Sequence, residues 1–135
     1  MNCSSKPESA SKKRILLVED DHANRQMLGD YLSYCGYDVS SIALGSQFFE
    51  AIASVQPHLI LLDLKLPDIS GFALLEQLRR DSRYAEIPII VISALAFRND
   101  QERAFRLGID HYLVKPIDLF SLQRLLQELI NSSSS

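Results

Sequence analysis

Four places in this sequence put polar or charged side chains directly after short apolar runs. Glu19-Asp20-Asp21 follow Ile15-Leu16-Leu17-Val18, and Asp63 follows a run ending in Leu61-Leu62. Ser93 closes Pro88-Ile89-Ile90-Val91-Ile92, and Lys115-Pro116 follow the run from Ile109 to Val114. Neighbouring carboxylates repel, so acids gathered in one place call for a cation or for raised pKa values. A few carboxylate oxygens suit Mg²⁺, which keeps several waters and takes a phosphate oxygen as a further ligand. A lysine and a hydroxyl could hold the other phosphate oxygens, and an aspartate can be the nucleophile that accepts a phosphoryl group. Such a site works largely by positioning and charge neutralisation. Singly, each element has an ordinary reading as a solvated loop, a helix cap or a surface turn. Their order, and their common place at strand ends, make the chemistry.

The elements that must bring them together are legible from periodicity. Apolar runs that are hydrophobic at every position alternate with segments spaced as helices, such as Met27, Leu28, Tyr31 and Leu32, or Leu74, Leu75 and Leu78. Gly36 closes the first helix, Pro57 ends the second, and Ser70 can cap the third. Arg79 and Arg80 end that third helix, where the dipole favours cations. Asn99, with Glu102 three residues on, predicts the N-cap of a fourth helix, and Asp118 caps a fifth. Strands apolar throughout are buried on both faces, which marks a parallel sheet with helices on each side. Right-handed crossovers then leave an α/β fold, doubly wound, with five strands and five helices. In such a sheet all strand C-termini meet at one edge, where ligands bind. Four of the five strands deliver polar groups there; the second ends blandly in Ile42-Ala43-Leu44.

Composition narrows the function classes. The chain has 135 residues with 17 acidic and 14 basic side chains, a formal charge of −3, which removes the case for broad nucleic-acid or anionic-membrane binding. Eight of its 17 Ser lie in 1–13 and 132–135. These stretches are expected to be a disordered N-terminal tail and a Ser tail flanking one domain, 14–131. Cys3 and Cys35 are too few for a disulfide scaffold and are expected as free thiols. No stretch approaches a membrane span, and the N-terminus lacks a secretory signal, so a cytoplasmic protein is expected. The five isolated Gly form no phosphate loop, and His22, His58 and His111 have no metal-ligand spacing.

From about Arg14 to Asn131 the sequence resembles the receiver domain of two-component response regulators. The resemblance is carried by Glu19-Asp20, Asp63, Pro67 and Gly71, Ser93-Ala94 and Lys115-Pro116, in that order. It implies a flavodoxin-like (βα)5 fold with strand order 2-1-3-4-5. It implies that Asp63 is the phosphoacceptor, taking its phosphoryl group from a phosphohistidine on a histidine kinase or phosphotransfer protein. It also implies Mg²⁺ (or Mn²⁺) bound by Asp20, by Asp63, by Glu19 through water and by the backbone carbonyl of Lys65. Ser93 is then the switch hydroxyl, Tyr112 the switch aromatic, Lys115 the phosphate-binding lysine, and Lys115-Pro116 a cis peptide. The departures are small: Glu-Asp in place of Asp-Asp, and Ser in place of the commoner Thr at 93. Asp21 is assigned a capping role.

The implied function is a phosphorylation switch, not an enzyme beyond its own phosphorylation and dephosphorylation. Its output is expected on the fourth helix, fifth strand and fifth helix, around Phe97 to Gly108 and Tyr112 to Leu126. Asn24, Arg25 and Leu28, with the loop after Lys115, are expected to dock the phosphodonor. The other expectations are a downstream protein target, no direct nucleic acid, no membrane, and self-association. Two rival readings are an Asp-nucleophile phosphatase, which typically wants a second Asp where Lys65 stands, and a module that is never phosphorylated. Too few residues follow Asn131 for an effector domain. The chain is therefore expected to act through partners or to be a piece of a hybrid kinase or larger regulator; Asn24-Arg25 resembles receivers attached to hybrid kinases.

Overall fold

The structure, a computed structural model, describes residues 12–131. Strands β1 (Arg14–Val18), β2 (Asp38–Ile42), β3 (Leu59–Leu62), β4 (Ile89–Ser93) and β5 (His111–Val114) alternate with five helices. These are α1 (His22–Tyr34), α2 (Phe48–Val55), α3 (Gly71–Arg80), α4 (Arg98–Arg106) and α5 (Leu119–Leu126). A 3-10 turn, Gly45–Gln47, leads into α2, and a π turn, Gln127–Asn131, extends α5. The strands are parallel, in the order 2-1-3-4-5.

The continuous apolar runs are explained by two cores, one on each face. Leu16, Val18, Ile60, Leu62, Ile89 and Val91 face one side, against Phe48 and Ile52 of α2, Leu75 and Leu78 of α3 and Ala104 of α4. Ile15, Leu17, Leu59, Leu61, Ile90 and Ile92 face the other, against Leu28 and Leu32 of α1 and Leu122 and Leu126 of α5. Adjacent residues point to opposite faces, so only a strand covered on both sides can be apolar at every position. The edge strands β2 and β5 are less buried, which matches the weaker pattern of β2.

Several caps fall where the sequence predicts them. Asp21 accepts from the Asn24 N–H at 2.9 Å, Ser70 from Phe72, and Asp118 from Phe120. The predicted N-cap at Asn99 is corrected. The residue at the start of α4 is Phe97, extended at φ −73° and ψ 144° with no side-chain cap, and Asn99 lies inside the first turn. The preceding loop is held from elsewhere, at Leu95, and this fixes the helix start. Arg79 also does more than face a dipole. It reaches from the end of α3 to the carbonyls of Leu107 and Gly108, at 3.1 and 2.7 Å, and to that of Ala85.

The expected tails fall outside the described residues except for Lys12 and Lys13. The Lys13 carbonyl accepts from the Asp38 N–H. Cys3 likewise lies outside them; Cys35 is buried and unbridged. Among the described residues, no helix is long and apolar enough to cross a membrane.

Candidate functional site

The site is assembled by continuing the strand ladders one residue too far. The Glu19 N–H donates to the Ile42 carbonyl, and the Asp63 N–H to that of Val18. Both acids are therefore held as if still in the sheet. Glu19 is fully buried and Asp63 is 3% exposed, whereas Asp20 projects into solvent. Oxygens of all three carboxylates lie within 4.8 Å of one another.

Lys115 reaches this cluster from β5. Its N–H donates to the Ser93 carbonyl at 2.9 Å, which fixes its root on β4, and the Lys115–Pro116 peptide is cis. Its Nζ donates to Asp63 Oδ2 at 2.8 Å. The same ammonium stands 2.7 Å from the buried Glu19 Oε1, an ion pair without an aligned hydrogen bond. Burial pushes the Glu19 carboxyl above its usual range, against the opposing pull of Lys115 and the Asp21 amide. For Lys115, burial works to lower the pKa, but the hydrogen bond to Asp63 and the close negative charges of Asp63 and Glu19 outweigh it and hold the ammonium above its ordinary value.

The loop after β3 closes tightly on Asp63. Asp63 Oδ1 accepts from the Lys65 N–H at 3.0 Å, and the Gly71 N–H donates to the Leu64 carbonyl at 2.9 Å. A Cβ at Gly71 would stand 2.6 Å from Leu64 Cα and 3.0 Å from the Asp63 carbonyl oxygen, so only glycine lets α3 begin here. The loop after β1 is fixed as closely. Glu19 Oε2 accepts from the Asp21 N–H, and Arg25 Nη1 donates to the carbonyls of Glu19 and Asp20.

Ser93 and Tyr112 meet at a single residue. Ser93 is fully buried, and its Oγ accepts from the Leu95 N–H at 3.1 Å. The Tyr112 hydroxyl donates to the Leu95 carbonyl at 2.7 Å. Burial raises the Tyr112 pKa, so the hydroxyl stays a donor. The entry to α4 is thus gripped on both sides of one peptide-bonded residue.

The histidines, which have no metal-ligand spacing in the sequence, are held by other contacts. His22 is exposed at the start of α1 beside Arg25, and His58 Nδ1 accepts from the Arg14 N–H near the other end of the sheet. Leu28 is corrected as a docking residue: it has no exposed surface and faces the core. It floors a groove of about 360 Å³ lined also by Asn24, Met27, Lys115, Pro116 and Ile117, and the exposed apolar side chain there is Met27. Sequence reading also missed Asp68. Its carboxylate accepts from the backbone N–H groups of Gly45, Ser46 and Ile69, and the bonds from Ser46 and then Gly45 hold its pKa below the usual range. An acid after Pro67 looks like any turn residue, so only the fold could show its distant partners.

One ammonium cannot offset three carboxylates, and the donor set is all hard oxygen. The residues therefore fit a divalent cation. A doubly wound parallel sheet that collects three acids, a lysine and a hydroxyl at its carboxyl edge defines an α/β domain with its charged groups where such folds take ligands. The chain belongs to the response regulator receiver domain family, whose model matches residues 15–128. It is 37% identical over 117 residues to the DNA-binding dual master transcriptional regulator RpaA of Synechocystis sp., covering 87% of this chain and 48% of that protein. It is 31% identical to the polar-differentiation response regulator DivK of Brucella ovis, covering 79% of this chain and 87% of that protein. Among solved structures it is similar to the receiver domain of a sensor histidine kinase from Pseudomonas aeruginosa with magnesium coordinated in the active site cleft. That match has a TM-score of 0.81 at 32% identity, over 90% of this chain and 99% of the other. The chain spans about half the length of RpaA. It is a receiver domain of two-component signalling, a phosphorylation-based switch and not a classical enzyme.

Proposed function

We propose that Asp63 accepts a phosphoryl group from a phosphohistidine and that this chain's output follows from the new charge. The observation that carries the reading is the setting of Asp63. It is buried, with Oδ1 on the Lys65 amide and Oδ2 on the Lys115 ammonium, beside two further carboxylates. An Asp63 oxygen attacks phosphorus, the P–N bond breaks as the P–O bond forms, and the imidazole nitrogen keeps the electron pair. Glu19, Asp20, Asp63 and the Lys65 carbonyl would hold Mg²⁺ or Mn²⁺, which supplies charge neutralisation on the transferred group. Lys115 orients a phosphoryl oxygen. Loss of the group by hydrolysis would be the chain's own reaction at the same residues.

The phosphoryl group offers Ser93 a stronger partner than the Leu95 amide. When the hydroxyl turns to it, Leu95 loses one of its two tethers, and Tyr112 is free to follow. The α4–β5–α5 face then shifts between two packings. Phe97, Phe105 and Val114 are exposed there and favour a protein target. The groove between α1 and the cis loop is the dock for a histidine kinase or phosphotransfer protein. A donor of that kind supports a cytoplasmic location for this domain.

Incubation with Mg²⁺ and a small-molecule phosphodonor, followed by intact-mass measurement, is expected to show one added phosphoryl group. Asp63→Ala should abolish it. No gain, or a gain that survives the substitution, would overturn the assignment.

A further inference from the structure

The loop that carries Lys65 runs from Asp63 to Gly71, and its two ends are fixed by hydrogen bonds already described. Its middle is held by Asp68. One oxygen accepts from Gly45 N–H at 2.8 Å and from Ile69 N–H at 3.0 Å, and the other accepts from Ser46 N–H at 2.9 Å. Gly45 and Ser46 lie 23 and 22 residues away, in the turn before α2, so the carboxylate ties two separate loops together. The fit on the other side is equally close. A Cβ on Gly45 would meet Ile69 Cβ at 3.1 Å, Leu74 Cδ1 at 3.3 Å and Asp68 Oδ1 at 3.4 Å.

From this geometry we infer that Asp68 is a positioning residue for the cation site, acting through the loop that presents the Lys65 carbonyl. The inference rests on the metal-binding role of Lys65 in the proposed function. Without Asp68, the loop keeps its bonds at Lys65, Ser70 and Gly71 and the packing of Leu66 and Ile69 on the core, but it loses its tie to the turn before α2. The carbonyl of Lys65 would then sample orientations that a cation with strict octahedral demands cannot use. Groups that orient ligands without touching the metal typically set its affinity over one to two orders of magnitude. The Ser46 side chain adds to the tie, but its Gly45, Ser46 and Ile69 donors are backbone amides, which substitution removes only through proline or a displaced backbone.

The chain has no Trp, so titration calorimetry with MgCl₂ at constant ionic strength is the direct measurement. Asp68→Ala is expected to weaken Mg²⁺ binding about tenfold, and Asp68→Asn, which keeps one carbonyl acceptor, by less. Gly45→Ala pushes the same loops apart without changing charge and should also weaken binding. Arg79→Ala loosens the fold at the opposite edge of the sheet and should lower the melting temperature while leaving Mg²⁺ affinity at the wild-type value. If Asp68→Ala does not fold, Asp68→Asn and Gly45→Ala decide the matter.

Wild-type affinity in the Asp68 variants overturns the inference, whatever their melting temperatures. Loss in both Asp68 variants with full affinity in Gly45→Ala also overturns it, since charge alone would then explain the loss. Equal weakening by Arg79→Ala would show general loosening and overturn it too. Absence of Mg²⁺ binding in the wild-type chain would overturn the metal-binding reading itself, and this inference with it.

Discussion

Lys115 is the residue on which the site's electrostatics turn. Its ammonium touches two buried carboxylates from different strands, and removing it leaves Glu19 and Asp63 facing each other with no cation between them. Breaking a buried ion pair at one partner costs several kcal/mol, and the readiness of Glu19 to hold a proton moderates that. Lys115→Ala is expected to lose about 3 kcal/mol of stability in chelator. Added Mg²⁺ should restore more stability to the variant than to the wild type, because a competing cation has gone. Denaturant unfolding with EDTA and with Mg²⁺ measures both; an equal Mg²⁺ response in the two proteins would contradict the account. The presence of Lys115 near Asp63 was legible in the sequence, since both follow strands of one parallel sheet. The meeting of Ser93 and Tyr112 on Leu95 was not, because backbone atoms carry no sequence signal.

The elements owe their starts and stops to different causes, and this decides which were legible. Strands β1, β3 and β4 are apolar throughout because both faces are covered, so their runs could be read without ambiguity. Caps at Asp21, Ser70 and Asp118 are local bonds, and local bonds leave local signatures. Helix α4 obeys neither rule. Its beginning is set by the tethers on Leu95, and its end by Arg79 of α3, so Asn99 misled. Arg79 takes the carbonyls of Leu107 and Gly108 just past the end of α4, and Gly108 turns with φ +88° against it, where a Cβ would come to 2.9 Å from Nε. Arg79→Ala is expected to cost about 2 kcal/mol, the scale of hydrogen bonds from a charged donor. Hydrogen exchange should quicken at Leu107 to Asp110 and be unchanged in α1. Uniform acceleration across all five helices would show that Arg79 is not a local clamp.

At the scale of the whole molecule, the sheet separates two tasks. Its carboxyl edge holds acids that repel, while its two faces hold the cores that tolerate that repulsion. The fold class was legible because those cores write their pattern along every central strand. The output face is expected from resemblance alone, and the exposure of Phe97, Phe105 and Val114 that supports it depends on which way α4 and β5 face. A phosphoryl mimic such as beryllofluoride, added with Mg²⁺, is expected to alter hydrogen exchange in residues 94–108 and 112–126. The α2 region should respond little. A response confined to the β1 and β3 loops would mean that the charge is bound but not transmitted.

The contact between Lys115 and Glu19 also bears on the order of events in the life of the molecule. A carboxyl group buried as completely as Glu19 must either keep its proton or find a counterion as the chain folds. Here the counterion is delivered by the last strand of the same sheet. If the proposed cation site is right, folding would not have to wait for metal loading. A newly made domain can reach its native state where free magnesium is scarce and wait there, complete but silent, until cation and phosphodonor arrive.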